Sequence, residues 1–155
     1  MDTIMENDMT IITDSREQYP LSFSVPTVTA KLDTGDYSLA GYENEIAIER
    51  KEVNDLVACL KNGNRARFER ELERGRELDY FAVVIESSLK RIAEHEYVSD
   101  MAPKSVIQSL LAFSVRYRLP VFFSENRKYS ARIIESLLIK YVKEVADNEV
   151  LQNTA

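Results

Sequence analysis

A chain of 155 residues, 45% of them hydrophobic, has the length of one domain and enough apolar content to bury an ordinary core. A net charge of −6 argues against a protein that coats nucleic acid through bulk positive charge, but fits one that touches it over a limited patch. The one cysteine, Cys59, excludes an internal disulfide and a cysteine-rich zinc site, and no apolar stretch approaches the roughly 18 residues of a membrane span.

Met1 to Met9 reads as a disordered lead-in, too polar for a signal peptide, so a cytoplasmic protein without membrane contact is expected. One domain then spans 10–147, and 148–155 is a tail. Thr10 to Thr13 is a first strand with Asp14 to Gln18 as its polar exit. Pro20 and Pro26 bracket an irregular or edge segment, because proline cannot supply a central ladder hydrogen bond. Val28 to Leu32 alternates like a strand with one wet face, and Asp33-Thr34-Gly35 is a turn. Tyr37 to Ala40 and Glu45 to Glu49 form a hairpin closed around Gly41 to Asn44.

Glu52 to Leu60 carries Val53, Leu56, Val57 and Leu60 at helical spacing. Gly63 ends that helix, and Asn64 is placed to cap a charged one from Arg65 to Leu78. Tyr80 to Ile85 is the near-continuous apolar run of a central strand. Ser87 or Ser88 starts a short helix reaching about His95, and Pro103 suits the first position of a helix to Tyr117. Val121 to Phe123 is a short strand, and Ser130 caps a last helix to about Ala146. Strands and a hairpin followed by alternating helices and strands give a three-layer α/β domain, with a mixed central sheet flanked by helices.

The chemistry concentrates between Gly35 and Asp55. Asp36 follows a glycine turn, and the apolar run Ile46-Ala47-Ile48 ends in Glu49-Arg50-Lys51. Strand alternation points Glu49 and Lys51 to one side and Arg50 to the other. With Asp36 on the neighbouring strand, two carboxylates and an ammonium group converge. Carboxylate oxygens with open positions suit Mg²⁺ or Mn²⁺, which keep waters and accept phosphate oxygens. Such an ion activates water and stabilises charge on a phosphodiester, while Lys51 orients or deprotonates the water or holds the phosphate. The expected reaction is metal-dependent phosphodiester hydrolysis, with Asp36 and Glu49 as metal ligands.

Around this centre, Asp55 lies one helical turn from Lys51 and off the apolar stripe, where it could face the site. Arg50 either contacts phosphate or pairs with Asp14 or Glu17; Asp14, ending a strand beside the hairpin, is a supporting candidate. Glu86 reads as an ordinary loop carboxylate. Arg67, Arg70 and Arg74 share a helix face that could neutralise DNA phosphates, although Arg67 with Glu71 and Arg70 with Glu73 stand at pairing distance. Cys59 reads as a buried small hydrophobe. His95, the only histidine, sits in a charged segment and carries no catalytic assignment.

Gly35-Asp36-Tyr37, then Ile48-Glu49-Arg50-Lys51 and Asp55, resembles the GD…(V/I)ERKxxxD signature of the XPF-type structure-specific endonucleases, a branch of the restriction-enzyme-like PD-(D/E)XK nucleases. Ile12-Thr13-Asp14-Ser15-Arg16-Glu17 resembles that family's first motif, and Arg65 or Arg67 and the Val84-Ile85-Glu86 strand end fall where it has counterparts. The resemblance implies a restriction-endonuclease-like fold and a Mg²⁺- or Mn²⁺-dependent DNA endonuclease of repair, recombination or phage DNA metabolism. It places Asp55 in the acidic cluster and one of Arg65 or Arg67 at the family arginine. It further implies a homodimer, a stand-alone form without helix-hairpin-helix modules like those of bacteria and their viruses, and selectivity from the domain itself or from a protein partner. The alternative is a non-catalytic DNA-binding scaffold subunit. A nuclease of the same fold acting exonucleolytically or on RNA is a third reading.

Overall fold

The computed structural model describes residues 8–154. Its centre is the parallel pair β4 (Ile46–Glu52) and β5 (Tyr80–Glu86), in register from Ile46 opposite Tyr80 to Glu52 opposite Glu86. Beyond β5 lies β6 (Val121–Phe123), parallel to it. On the other side β3 (Tyr37–Leu39) pairs antiparallel with β4, and β1 (Ile11–Asp14) pairs antiparallel with β3. β2 (Thr27–Ala30) closes that edge in parallel with β1. The result is a mixed six-stranded sheet of order β2-β1-β3-β4-β5-β6.

Alternation along the central strands assigns each face its own core. Phe81, Val83 and Ile85 join Ala47 on the face covered by α1 (Val53–Leu60), α2 (Arg65–Arg76) and α4 (Pro103–Arg116). Ala82 and Val84 join Ile46 and Ile48 on the face covered by α5 (Arg127–Thr154), through Ile134, Leu138 and Val142. Helices on both faces of one mixed sheet make the expected three layers. The short α3 (Leu89–Ala93) is capped by Ser88, whose Oγ accepts from the Arg91 amide at 3.0 Å.

Several boundaries differ from the sequence reading. β4 continues through Glu52, whose side chain caps α1 by accepting from the Asn54 amide at 3.0 Å. Asn64 occupies the expected cap position but turns its side chain back, donating to the Ala58 carbonyl at the end of α1. Ser130 does not cap α5. Asn126 does, accepting from the Tyr129 amide at 2.9 Å, while Ser130 is buried against Ser124 at 2.6 Å. α5 runs to Thr154, past the expected end near Ala146 and through the expected tail. β2 is wet on both sides rather than one, as an uncovered edge strand allows. Of the expected lead-in, 1–7 lies outside the described residues, and Met9 packs into the α5-side core.

Candidate active site

The parity that divides the core also divides the signature. Glu49 and Lys51 extend the row of Ala47 toward α1 and α2, and Arg50 extends the row of Ile46 and Ile48 toward α5. Lys51 Nζ lies 3.2 Å from Glu49 Oε1 and 5.5 Å from the ring centre of Phe68 on α2.

Asp36 is brought to Glu49 by the hairpin. Gly35 precedes it at φ +78°, and a Cβ there would lie 2.8 Å from the Ala47 Cβ, so only glycine lets the turn approach β4 this closely. The Asp36 amide donates to the Ile48 carbonyl at 2.9 Å, and its carbonyl accepts from the Asp14 amide at 2.8 Å. Its Oδ2 accepts from the Arg50 amide at 2.8 Å, and its Oδ1 has no hydrogen-bond partner among the described residues.

Asp36, Glu49 and Lys51 stand where two cavities meet. The larger, about 850 Å³, is walled by Tyr19, Arg50, Asp55, Cys59, Arg67, Glu71, Glu86 and Arg127. The smaller, about 250 Å³, opens between Asp14, Asp33, Glu71 and Arg74. Burial pushes the Asp36 carboxyl up to about 6 against the pull of the Arg50 amide. Burial, and then the Asp36 charge, push Glu49 up to about 8. Burial disfavours the Lys51 charge, but the Glu49 carboxylate outweighs it and holds the ammonium above the ordinary lysine value.

The donor set fits a hard divalent cation, since it offers carboxylate oxygens whose shared negative charge such an ion relieves, and no nitrogen or sulfur ligand. Among the described residues no three His, Cys, Asp or Glu side chains form a ready-made cluster. Asp36 and Glu49 would therefore supply two positions, leaving the rest to water and substrate.

The other expected residues separate. Asp55, exposed in the first turn of α1, lines the larger cavity. Asp14 is engaged structurally: its carboxylate accepts from Arg16 Nε at 2.9 Å and the Leu32 amide at 2.8 Å. Burial works to raise its pKa, but these bonds outweigh burial and hold it below the usual carboxylate range. Arg50, which also lines the larger cavity, is held by carboxylates. Its Nε lies 2.5 Å from Glu86 Oε1, its Nη1 lies 3.5 Å from Glu17 Oε2, and that Nη1 donates to the Tyr19 carbonyl at 2.7 Å. Glu86, read as an ordinary loop carboxylate, is thus its main partner.

Arg67 lines the larger cavity and Arg74 the smaller, whereas Arg70 lines neither. All three are exposed and, among the described residues, make no ion pair or hydrogen bond; the expected pairs of Arg67 with Glu71 and Arg70 with Glu73 do not form. Arg65 points elsewhere, donating to Ser109 Oγ at 2.9 Å and lying 4.9 Å over the Phe113 ring. Cys59 is half-buried, at the cleft wall rather than inside the core. His95 is exposed and lines neither cavity. Sequence reasoning missed Glu71, whose one signal is its place a helical turn after Arg67. It also missed Arg127, which only tertiary packing brings in.

Solved structures share this fold, two of them of XPF. One is XPF from Aeropyrum pernix, with a TM-score of 0.66 and 21% identity, covering 83% of this chain and 64% of that one. The other is XPF from Aeropyrum pernix in complex with DNA, with a TM-score of 0.67 and 22% identity, covering 87% and 66% respectively. The chain thus spans just under two thirds of the length of these XPF chains. No match is found among curated protein sequences. The ERCC4 domain family matches residues 10–137, from β1 with its Asp-x-Arg-Glu exit through the whole Asp36, Glu49 and Lys51 centre and into α5; by that match the chain belongs to the ERCC4 domain family.

Proposed function

We propose that this protein is a metal-dependent DNA endonuclease. The observation that carries the reading is the convergence of Asp36, Glu49 and the Lys51 ammonium at the junction of two cavities flanked by unpaired arginines. Asp36 and Glu49 hold Mg²⁺ or Mn²⁺, which when bound supplies Lewis-acid stabilisation of the charge that builds on the phosphodiester. Lys51, whose Nζ lies 3.2 Å from Glu49 Oε1, positions the attacking water or a phosphate oxygen. Asp55 supports the site from α1. Arg67 and Arg74, one on each side of the centre, take the phosphates flanking the scissile one, and Arg70 extends that row along α2.

DNA is favoured as the substrate because the Asp36 to Asp55 signature resembles that of the XPF-type endonucleases and one XPF neighbour is in complex with DNA. Homodimerisation belongs to the same reading and is supported by α4, which buries Val106, Leu110 and Phe113 and leaves Leu111 and Val115 exposed. Sedimentation of wild type beside Val115→Glu checks it.

The deciding experiment is cleavage of labelled single-stranded, duplex, flap and fork DNA with Mg²⁺, Mn²⁺ or EDTA, using wild type, Asp36→Asn and Lys51→Ala. Metal-dependent cutting lost in both variants supports the proposal, and circular DNA and RNA substrates define the mode. Wild type that binds DNA but cuts none of these substrates would overturn it in favour of the scaffold subunit.

A further inference from the structure

Tyr19 is 73% exposed, yet it forms part of the wall of the larger cavity beside Asp36, Glu49 and Lys51. Its backbone is held unusually firmly for an irregular segment. The Tyr19 carbonyl accepts from Arg50 Nη1 at 2.7 Å and Arg127 Nη1 at 2.9 Å, and Arg127 Nη2 also donates to the Pro20 carbonyl. Arg50 is itself anchored by Glu86 and Glu17, so the clamp reaches back into the sheet. Pro20 adds its own restriction, since the residue before a proline is confined to extended backbone. With its backbone already pinned, an exposed aromatic ring has only its two side-chain torsions left to order on binding a flat partner.

Every nucleobase offers such a partner once it is unpaired, and aromatic platforms beside a phosphate-binding groove bind single strands by stacking. Resting on the nuclease reading above, we propose that Tyr19 is a specificity-determining residue: its ring stacks on an unpaired base close to the scissile phosphate. Paired bases stay in the helix stack and do not present a face to the ring, so the contact favours cleavage where the duplex is opened. Tyr19 lines only the larger cavity, which places the stacked base on the Arg67 and Arg127 side of the scissile position rather than the Arg74 side.

The test compares wild type with Tyr19→Ala, Tyr19→Phe and Tyr19→Trp on fork and fully paired duplex DNA, and on forks carrying one abasic residue walked across the cleavage site. Tyr19→Ala is expected to lower kcat/KM on the fork by on the order of 5- to 100-fold, with little change on duplex, and Phe and Trp to restore it. At one abasic position wild type should fall to the level of Tyr19→Ala, and the variant should lose nothing more. An equal loss on both substrates, an unchanged rate in Tyr19→Ala, or a Phe variant as poor as Ala would overturn the inference while leaving the nuclease standing. Absence of any DNA cleavage by wild type would overturn both.

Discussion

The backbone amide of Arg50 holds the Asp36 carboxylate: N to Oδ2 is 2.8 Å, across the β3–β4 hairpin. One residue therefore works in two directions. Its amide fixes a proposed metal ligand on one side of the strand, and its guanidinium, on the other, ties Glu86 and Glu17 to the Tyr19 loop. Because one carboxylate oxygen is held from behind, the other is pre-aimed, and binding an ion costs less ordering.

Asp36→Asn should abolish cleavage yet stabilise the metal-free protein. The side-chain carbonyl of asparagine keeps the Arg50 hydrogen bond without the buried charge. The Asp36 pKa rises from 3.8 unfolded to about 6 folded, so between those values the folded state binds more protons than the unfolded. Stability is then full below pH 3.8 and is lost as pH rises through 6. Denaturation in EDTA should find the variant about 1–3 kcal/mol more stable at pH 7, with the difference vanishing by pH 4.

Metal affinity should climb with pH, because the cation competes with protons for carboxyls raised to about 6 at Asp36 and about 8 at Glu49. Titrating Mg²⁺ against cleavage rate should show the half-saturating concentration falling roughly tenfold between pH 6.5 and 8, then levelling. A half-saturating concentration that does not change with pH would contradict this assignment of ligands.

Arg65 and Arg67, two residues apart, should give opposite phenotypes. Arg67→Ala should weaken DNA binding and reduce the salt slope by about one ion, with stability unchanged. Arg65→Ala should leave the slope alone and lower stability by about 1–2 kcal/mol, since it removes the Ser109 hydrogen bond and the Phe113 ring contact. Salt-dependent binding and urea unfolding of both variants separate the two.

Arg50→Ala should be the most destabilising single change near the site. It strands Glu86 and Glu17, whose side chains are 10% and 16% exposed, and the expected loss is about 3–5 kcal/mol. Arg50→Ala with Glu86→Gln should recover part of it in the same unfolding assay.

The sequence by itself determined the order of elements, the three layers and the central triad of Asp36, Glu49 and Lys51, because these rest on local spacing. Period-two alternation sets which face each residue of β4 takes, and the glycine turn before Asp36 is written in consecutive residues. Only the tertiary structure decided what the flanking charges do. Arg50 meets a carboxylate 36 residues away because the register of β4 against β5 sets Arg50 opposite Val84 and Glu86 two residues further along β5, and Arg127 arrives from another layer, 108 residues from Tyr19. Asp14 is engaged by Arg16 and Leu32, and Arg65 and Arg67, two residues apart, point to nearly opposite faces of one helix. Charged side chains carry no periodic signal that names a partner. Their roles are set by whichever opposite charge or carbonyl the packed layers place within reach.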